Sequence, residues 1–209
     1  MTVGLGTGST VYFTLVALAE RIRDEGLQIR GVPTSVDTEL KAREFGIPLA
    51  TLAEVSSLDV TIDGADEIDA SFNMIKGGGG ALLREKVVAA MTQKQVIVVG
   101  ESKRVQRLGG GFLLPVEVVP FARPAVMQRL TAMGLVCTVR MQSSDQPYLT
   151  DNQNEILDCG FPKGIDDTGA LDRELNAIPG VVENGLFVGL AHVLVVGDDE
   201  GGSEVFLKP

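Results

Sequence analysis

The sequence has 209 residues, 44% hydrophobic and 22% charged, an ordinary globular composition with enough apolar material for a sizeable core. Its formal net charge of -10 argues against nucleic-acid binding as the main activity, and any anionic substrate must be held by a few local donors rather than by a global positive field. No stretch is long and apolar enough to span a bilayer and no signal peptide precedes the first strand, so a cytoplasmic protein without membrane contact is expected.

Residues 1–5 are short and apolar and read as a strand running into Gly4-Leu5-Gly6-Thr7-Gly8-Ser9-Thr10. A helix follows, with Leu15, Leu18, Ala19 and Ile22 on one side and Gly26 as its stop. Residues 28–32 read as a strand, residues 38–45 as a short helix closed by Gly46 and Pro48, and residues 58–62 as a strand that enters Asp63-Gly64-Ala65-Asp66-Glu67. The run Gly77-Gly78-Gly79-Gly80 leads into a helix over residues 81–91, and residues 95–99 form a buried strand. Strands alternating with helices predict a Rossmann-like, mostly parallel sheet with helices on its faces. From residue 115 the order becomes strand (116–119), helix (122–133), strand (135–141), strand (154–159), helix (168–177) and strand (181–188), which is the split βαβ pattern of a ferredoxin-like α+β domain. Residues 192–196 and 204–207 return to the first sheet. The expected organisation is an α/β domain over residues 1–114 and 191–209 with a small α+β domain inserted at 115–190.

Four segments carry candidate chemistry. The turn Gly4-Leu5-Gly6-Thr7-Gly8-Ser9-Thr10 joins a strand to a helix N-terminus, whose unpaired N–H groups and dipole suit a phosphate, with hydroxyl donors from Ser9 and Thr10. It is neither a Walker loop nor a full dinucleotide fingerprint, and many sheets use such a turn for steric reasons alone. Asp63-Gly64-Ala65-Asp66-Glu67 crowds three carboxylates at a strand end, where ligands bind in open α/β sheets. A capped turn, a divalent metal site and a set of acceptors for a polyol all fit it. Lys76-Gly77-Gly78-Gly79-Gly80 precedes a helix start, so its amides can face a developing oxyanion. Glu85, on the helix face of Ala81 and Val88, has the surroundings of a proton-transfer base, although a surface glutamate is the plainer reading. Lys103, in Gly100-Glu101-Ser102-Lys103-Arg104, can complete an anion site or be a solvated residue at a helix start. His192 lies in an apolar run and reads as structural, which turns attention to carboxylate and lysine chemistry. Cys137 and Cys159 show no metal-ligand spacing and read as buried thiols of a reducing compartment.

In their order and approximate spacing, the Gly4 turn, the Asp63 motif, Lys76-Gly77-Gly78-Gly79 with Arg84-Glu85-Lys86, and Ser102-Lys103 resemble the type A ribose-5-phosphate isomerases. Leu114-Pro115-Val116-Glu117-Val118 and Asn176-Ala177-Ile178-Pro179-Gly180 extend the resemblance over nearly the whole chain. It implies interconversion of ribose 5-phosphate and ribulose 5-phosphate in the pentose phosphate pathway, with no metal and no organic cofactor, by a homodimer or homotetramer. By that resemblance Glu85 is the general base, assisted by Lys76 and Asp63. Thr7, Gly8, Ser9, Thr10 and Lys103 bind the phosphorylated sugar, while Asp63, Gly64, Ala65, Asp66, Lys76, Gly77, Gly78 and Gly79 contact the sugar end. Two departures stand out: family members usually carry a helix before the first strand, and Glu101 stands where Asp is expected. The rivals are a CoA-transferase-like enzyme, in which Glu85 would form a thioester, and a phosphosugar-binding sensor domain.

Overall fold

The computed structural model describes residues 1–198 and 200–208. In chain order the strands and helices are β1 (Thr2–Leu5), α1 (Ser9–Glu25), β2 (Arg30–Pro33), α2 (Val36–Glu44), β3 (Leu58–Asp63), β4 (Glu67–Ile68), β5 (Met74–Ile75), α3 (Leu82–Ala90), β6 (Thr92–Gly100), β7 (Leu114–Val118), α4 (Arg123–Ala132), β8 (Val136–Val139), β9 (Glu155–Gly160), α5 (Thr168–Asn176), β10 (Val181–Asn184), β11 (Leu186–Phe187), β12 (Val193–Gly197) and β13 (Ser203–Leu207). They fall into two compact units, Met1–Ala65 with Arg84–Ser102 and Leu190–Pro209, and Asp66–Leu83 with Lys103–Gly189.

The first unit is built on a six-stranded sheet of order β13-β12-β6-β3-β1-β2, parallel except for the β12–β13 pair. This is the Rossmann-like sheet predicted from the alternation of strands and helices. Val11 and Leu15 of α1 are buried against Val3, Leu5, Ile29 and Ala42, with Leu18, Ala19 and Ile22 packed beside them, so the predicted apolar side of the helix is its core face. Gly26 ends α1 in the left-handed conformation. The second helix starts at Val36, two residues before the predicted start, because Ser35 caps it: its hydroxyl accepts from the Thr38 N–H at 3.1 Å. His192 is structural: its Nδ1 accepts from the Gln95 N–H and its own N–H donates to the Gln95 carbonyl.

The second unit contains an antiparallel sheet of order β10-β7-β9-β8 that carries α4 and α5, the ferredoxin-like arrangement expected from the sequence pattern. Leu114, Val116, Val118, Leu130, Leu157 and Leu175 belong to its core. Two features differ from expectation. Cys137 and Cys159 are direct partners across β8 and β9 and are joined in a disulfide, although their spacing carried no signal of pairing. The single strand expected over residues 181–188 is two strands in different sheets: β10 pairs with β7, while β11 pairs with β5 in a three-stranded sheet of order β11-β5-β4. Asn184, fully buried, makes the transfer: its Nδ2 donates to Asp172 Oδ1 at 2.8 Å and Asn176 Oδ1 at 3.0 Å, and its Oδ1 accepts from the Leu186 N–H at 2.9 Å. Replacing Asn184 with Ala strands the buried Leu186 N–H, and urea unfolding should register a loss of about 1–3 kcal/mol.

Candidate active site

In the first unit, parallel β1, β3 and β6 are neighbours, so the segments leaving them share one sheet edge. Those segments are residues 6–10, residues 63–65 and the short 3₁₀ turn Glu101–Lys103, whose last residue opens the second unit. Asp63, 1% exposed, joins the first two: its Oδ1 accepts from the Thr7 N–H at 3.2 Å and the Gly64 N–H at 2.8 Å. Only a glycine fits at position 6, because a Cβ there would lie 2.2 Å from Asp63 Oδ1. A second brace comes from the segment after β2. Thr34 Oγ1 donates to the Leu5 carbonyl at 3.0 Å, Thr38 Oγ1 donates to the Gly6 carbonyl at 2.8 Å, and the Thr7 and Thr34 hydroxyls are 2.8 Å apart. Sequence reading passed over Thr34, Ser35 and Thr38 as site-building residues, although hydroxyl residues at a helix start are a visible capping signal.

The turn opens into the N-terminus of α1, where no side chain caps the helix and the first turn contains no acidic residue. Gly8, Ser9 and Thr10 are exposed. Their surroundings leave backbone N–H groups and two hydroxyls available to an anion. Glu85 is the fourth residue of α3 and only 5% exposed.

In the second unit, Lys76 leaves β5 with its N–H bonded to the Gly185 carbonyl at 2.9 Å. The residue is 3% exposed, and its ammonium lies 5.5 Å from the centroid of the buried Phe187 ring. Asp66 Oδ2 accepts from the Gly78 N–H at 2.7 Å, so Asp66 and the glycine run form one group. Glu67 is committed to structure: buried, it accepts from the Gly109 N–H at 2.6 Å and the Gly111 N–H at 3.0 Å. Lys103 is half-buried. Among the described residues no group of three or more His, Cys, Asp or Glu side chains is placed to hold a metal ion, and no helix is long and apolar enough to cross a membrane.

The family model described as ribose 5-phosphate isomerase A (phosphoriboisomerase A) matches residues 30–201. The chain belongs to this family. It is 48% identical to ribose-5-phosphate isomerase A 1 of Oceanobacillus iheyensis over 96% of this chain and 88% of that relative. It is 50% identical to the ribose-5-phosphate isomerase A of a Synechococcus species over 96% of this chain and 87% of that one. Among solved structures, ribose 5-phosphate isomerase A from Methanocaldococcus jannaschii superposes with a TM-score of 0.93 at 40% identity, covering 100% of this chain and 91% of that one. A D-ribose-5-phosphate isomerase in complex with phospho-erythronic acid superposes with a TM-score of 0.94 at 39% identity, covering 99% and 90%.

Tyr148 lies against the glycine run of this family member. Burial, reinforced by Asp151 and opposed by Arg140, holds its phenol above the ordinary value of 10.0. Because the folded value is raised, the Tyr148 contribution to stability is present below the unfolded value and is lost as pH rises through the folded one. Urea unfolding across an alkaline pH series should show this loss in the wild type, and Tyr148→Phe should lack that component.

Proposed function

We propose that this chain interconverts D-ribose 5-phosphate and D-ribulose 5-phosphate. The observation that carries the proposal is a buried carboxylate, Glu85, on the helix that follows Lys76 and its glycine run, in a family member aligned over nearly its whole length. In the open-chain aldose, Glu85 takes the C2 proton, and the C–H electron pair forms the C1–C2 double bond of an enediolate while the aldehyde oxygen takes up the negative charge. The same carboxyl then gives the proton to C1, the carbonyl re-forms at C2, and the O2 proton passes to O1. A carboxylate sheltered from water is a stronger base than a solvated one. Lys76 and the amides of Gly77 and Gly79 supply positive charge and N–H donors to the enediolate oxygens, while the Gly78 N–H is held by Asp66 and fixes the run.

Asp63 exchanges a proton with a sugar hydroxyl as the ring opens. Asp66, Gly64 and Ala65 receive the sugar hydroxyls. The substrate phosphate is assigned to Thr7, Gly8, Ser9 and Thr10 at the N-terminus of α1 and to Lys103, remote from the reacting carbons, so its binding energy positions them. The complex of a related isomerase with phospho-erythronic acid supports this reading. That ligand is a phosphorylated sugar acid whose carboxylate spreads negative charge over two coplanar oxygens, as an enediolate does. The family resemblance also leads us to assign a homodimer or homotetramer, which light scattering decides.

Two experiments test the assignment. With EDTA present, wild-type protein should isomerise ribose 5-phosphate, and Glu85→Gln should lower kcat by roughly 10² to 10⁴. Full activity in Glu85→Gln would remove it from the base role. Ser9→Asp places a negative charge at the α1 N-terminus and should raise KM for ribose 5-phosphate by about tenfold or more, with a smaller change in kcat.

A further inference from the structure

The glycine run has no side chains of its own to hold it, yet its proposed role depends on where its amides point. The structure holds it by its carbonyls. Arg140 Nη1 donates to the Gly77 carbonyl at 2.8 Å and to the Gly78 carbonyl at 3.0 Å. The same guanidinium engages Asp158 with two further nitrogens, Nε at 3.0 Å and Nη2 at 2.5 Å. Both side chains are 16% exposed, so the pair is sheltered from water. The Arg140 backbone is itself fixed: its N–H donates to the Ile156 carbonyl at 2.8 Å and its carbonyl accepts from the Tyr148 N–H at 2.9 Å. Tyr148 adds the third contact, its hydroxyl donating to the Gly79 carbonyl at 3.4 Å. Its ring occupies the space beside Gly80, where a Cβ would lie 2.3 Å from the hydroxyl.

A trans peptide directs its N–H opposite to its C=O, and there is no cis peptide among the described residues. Holding the Gly77 carbonyl therefore directs the Gly78 N–H away from Arg140, and that N–H meets Asp66. Holding the Gly78 carbonyl directs the Gly79 N–H away in the same manner. The Gly79 amide is exposed and has no acceptor among the described residues. We propose that Arg140 is a positioning residue, which aims the Gly78 and Gly79 amides by clamping the preceding carbonyls against Asp158, with Tyr148 as its auxiliary. The inference rests on the function proposed above for its catalytic consequence and on geometry alone for the clamp. Three nitrogens of one planar fork are in use, and a lysine ammonium cannot reproduce that arrangement.

The test compares the wild type with Arg140→Lys and Asp158→Asn by steady-state kinetics on ribose 5-phosphate, thermal unfolding, and hydrogen exchange of the amides of residues 77–80. Arg140→Lys keeps a cation beside Asp158, so the fold is expected to persist. Its kcat should fall by about 10- to 100-fold while KM stays within about threefold. Exchange should quicken at residues 77–80 and not in β7 and β9. Asp158→Asn, which leaves the guanidinium in place but weakens its anchor, should show a smaller loss of the same kind. Unchanged kcat with unchanged exchange in Arg140→Lys would overturn the proposal. So would a loss of activity no larger than the loss of folded protein. A wild type without isomerase activity would sink the proposed function but not the clamp, which the exchange rates decide by themselves.

Discussion

A carboxylate taken out of water has to be met by donors, and the segment from Asp63 to Glu67 meets this requirement with backbone amides. Asp63 accepts from Thr7 and Gly64. Asp66 accepts from Gly78, and Glu67 from Gly109 and Gly111. Each carboxylate thereby ties down a glycine-containing loop. Hydrogen bonds to an ionised acceptor are the stronger kind, and an unmet buried carboxylate is costly. Within each unit these acids hold the glycine-containing loops through the protein's own hydrogen bonds.

The acidity of the chain sharpens the need for local donors. With a net charge of -10, no general field draws in a sugar phosphate. The N-terminus of α1 meets the need in a small space, since its first turn lacks an acid and its exposed hydroxyl residues sit beside free amides. The threonines after β2 hold that turn from behind through the Leu5 and Gly6 carbonyls. Backbone donors braced in this manner need little rearrangement when an anion binds.

The glycine run solves a related problem in the second unit. Small residues let a ligand approach the backbone, but they cost conformational entropy and provide no packing of their own. Arg140, Asp158 and Tyr148 supply the missing constraint from 60 or more residues further along the chain. Asp66 supplies it from the other direction. The direction of each amide is thus set by side chains with no apparent link to the run in sequence.

Much was legible from sequence because it is local. The alternation of strand and helix, the apolar side of α1, the glycine-rich turn and the βαββαβ order are repeats and spacings that a linear reading detects, and the joint order of the Gly4, Asp63, Lys76, Glu85 and Lys103 motifs identified the family. What the sequence could not reveal are pairings between distant residues. The division of the last predicted strand at Asn184, the Cys137–Cys159 disulfide, the threonine brace behind Gly6 and the Arg140 clamp each join segments brought together only when sheets form. A side chain's partner is set by strand order and register, and those are decided by packing the whole chain rather than by any one segment of it.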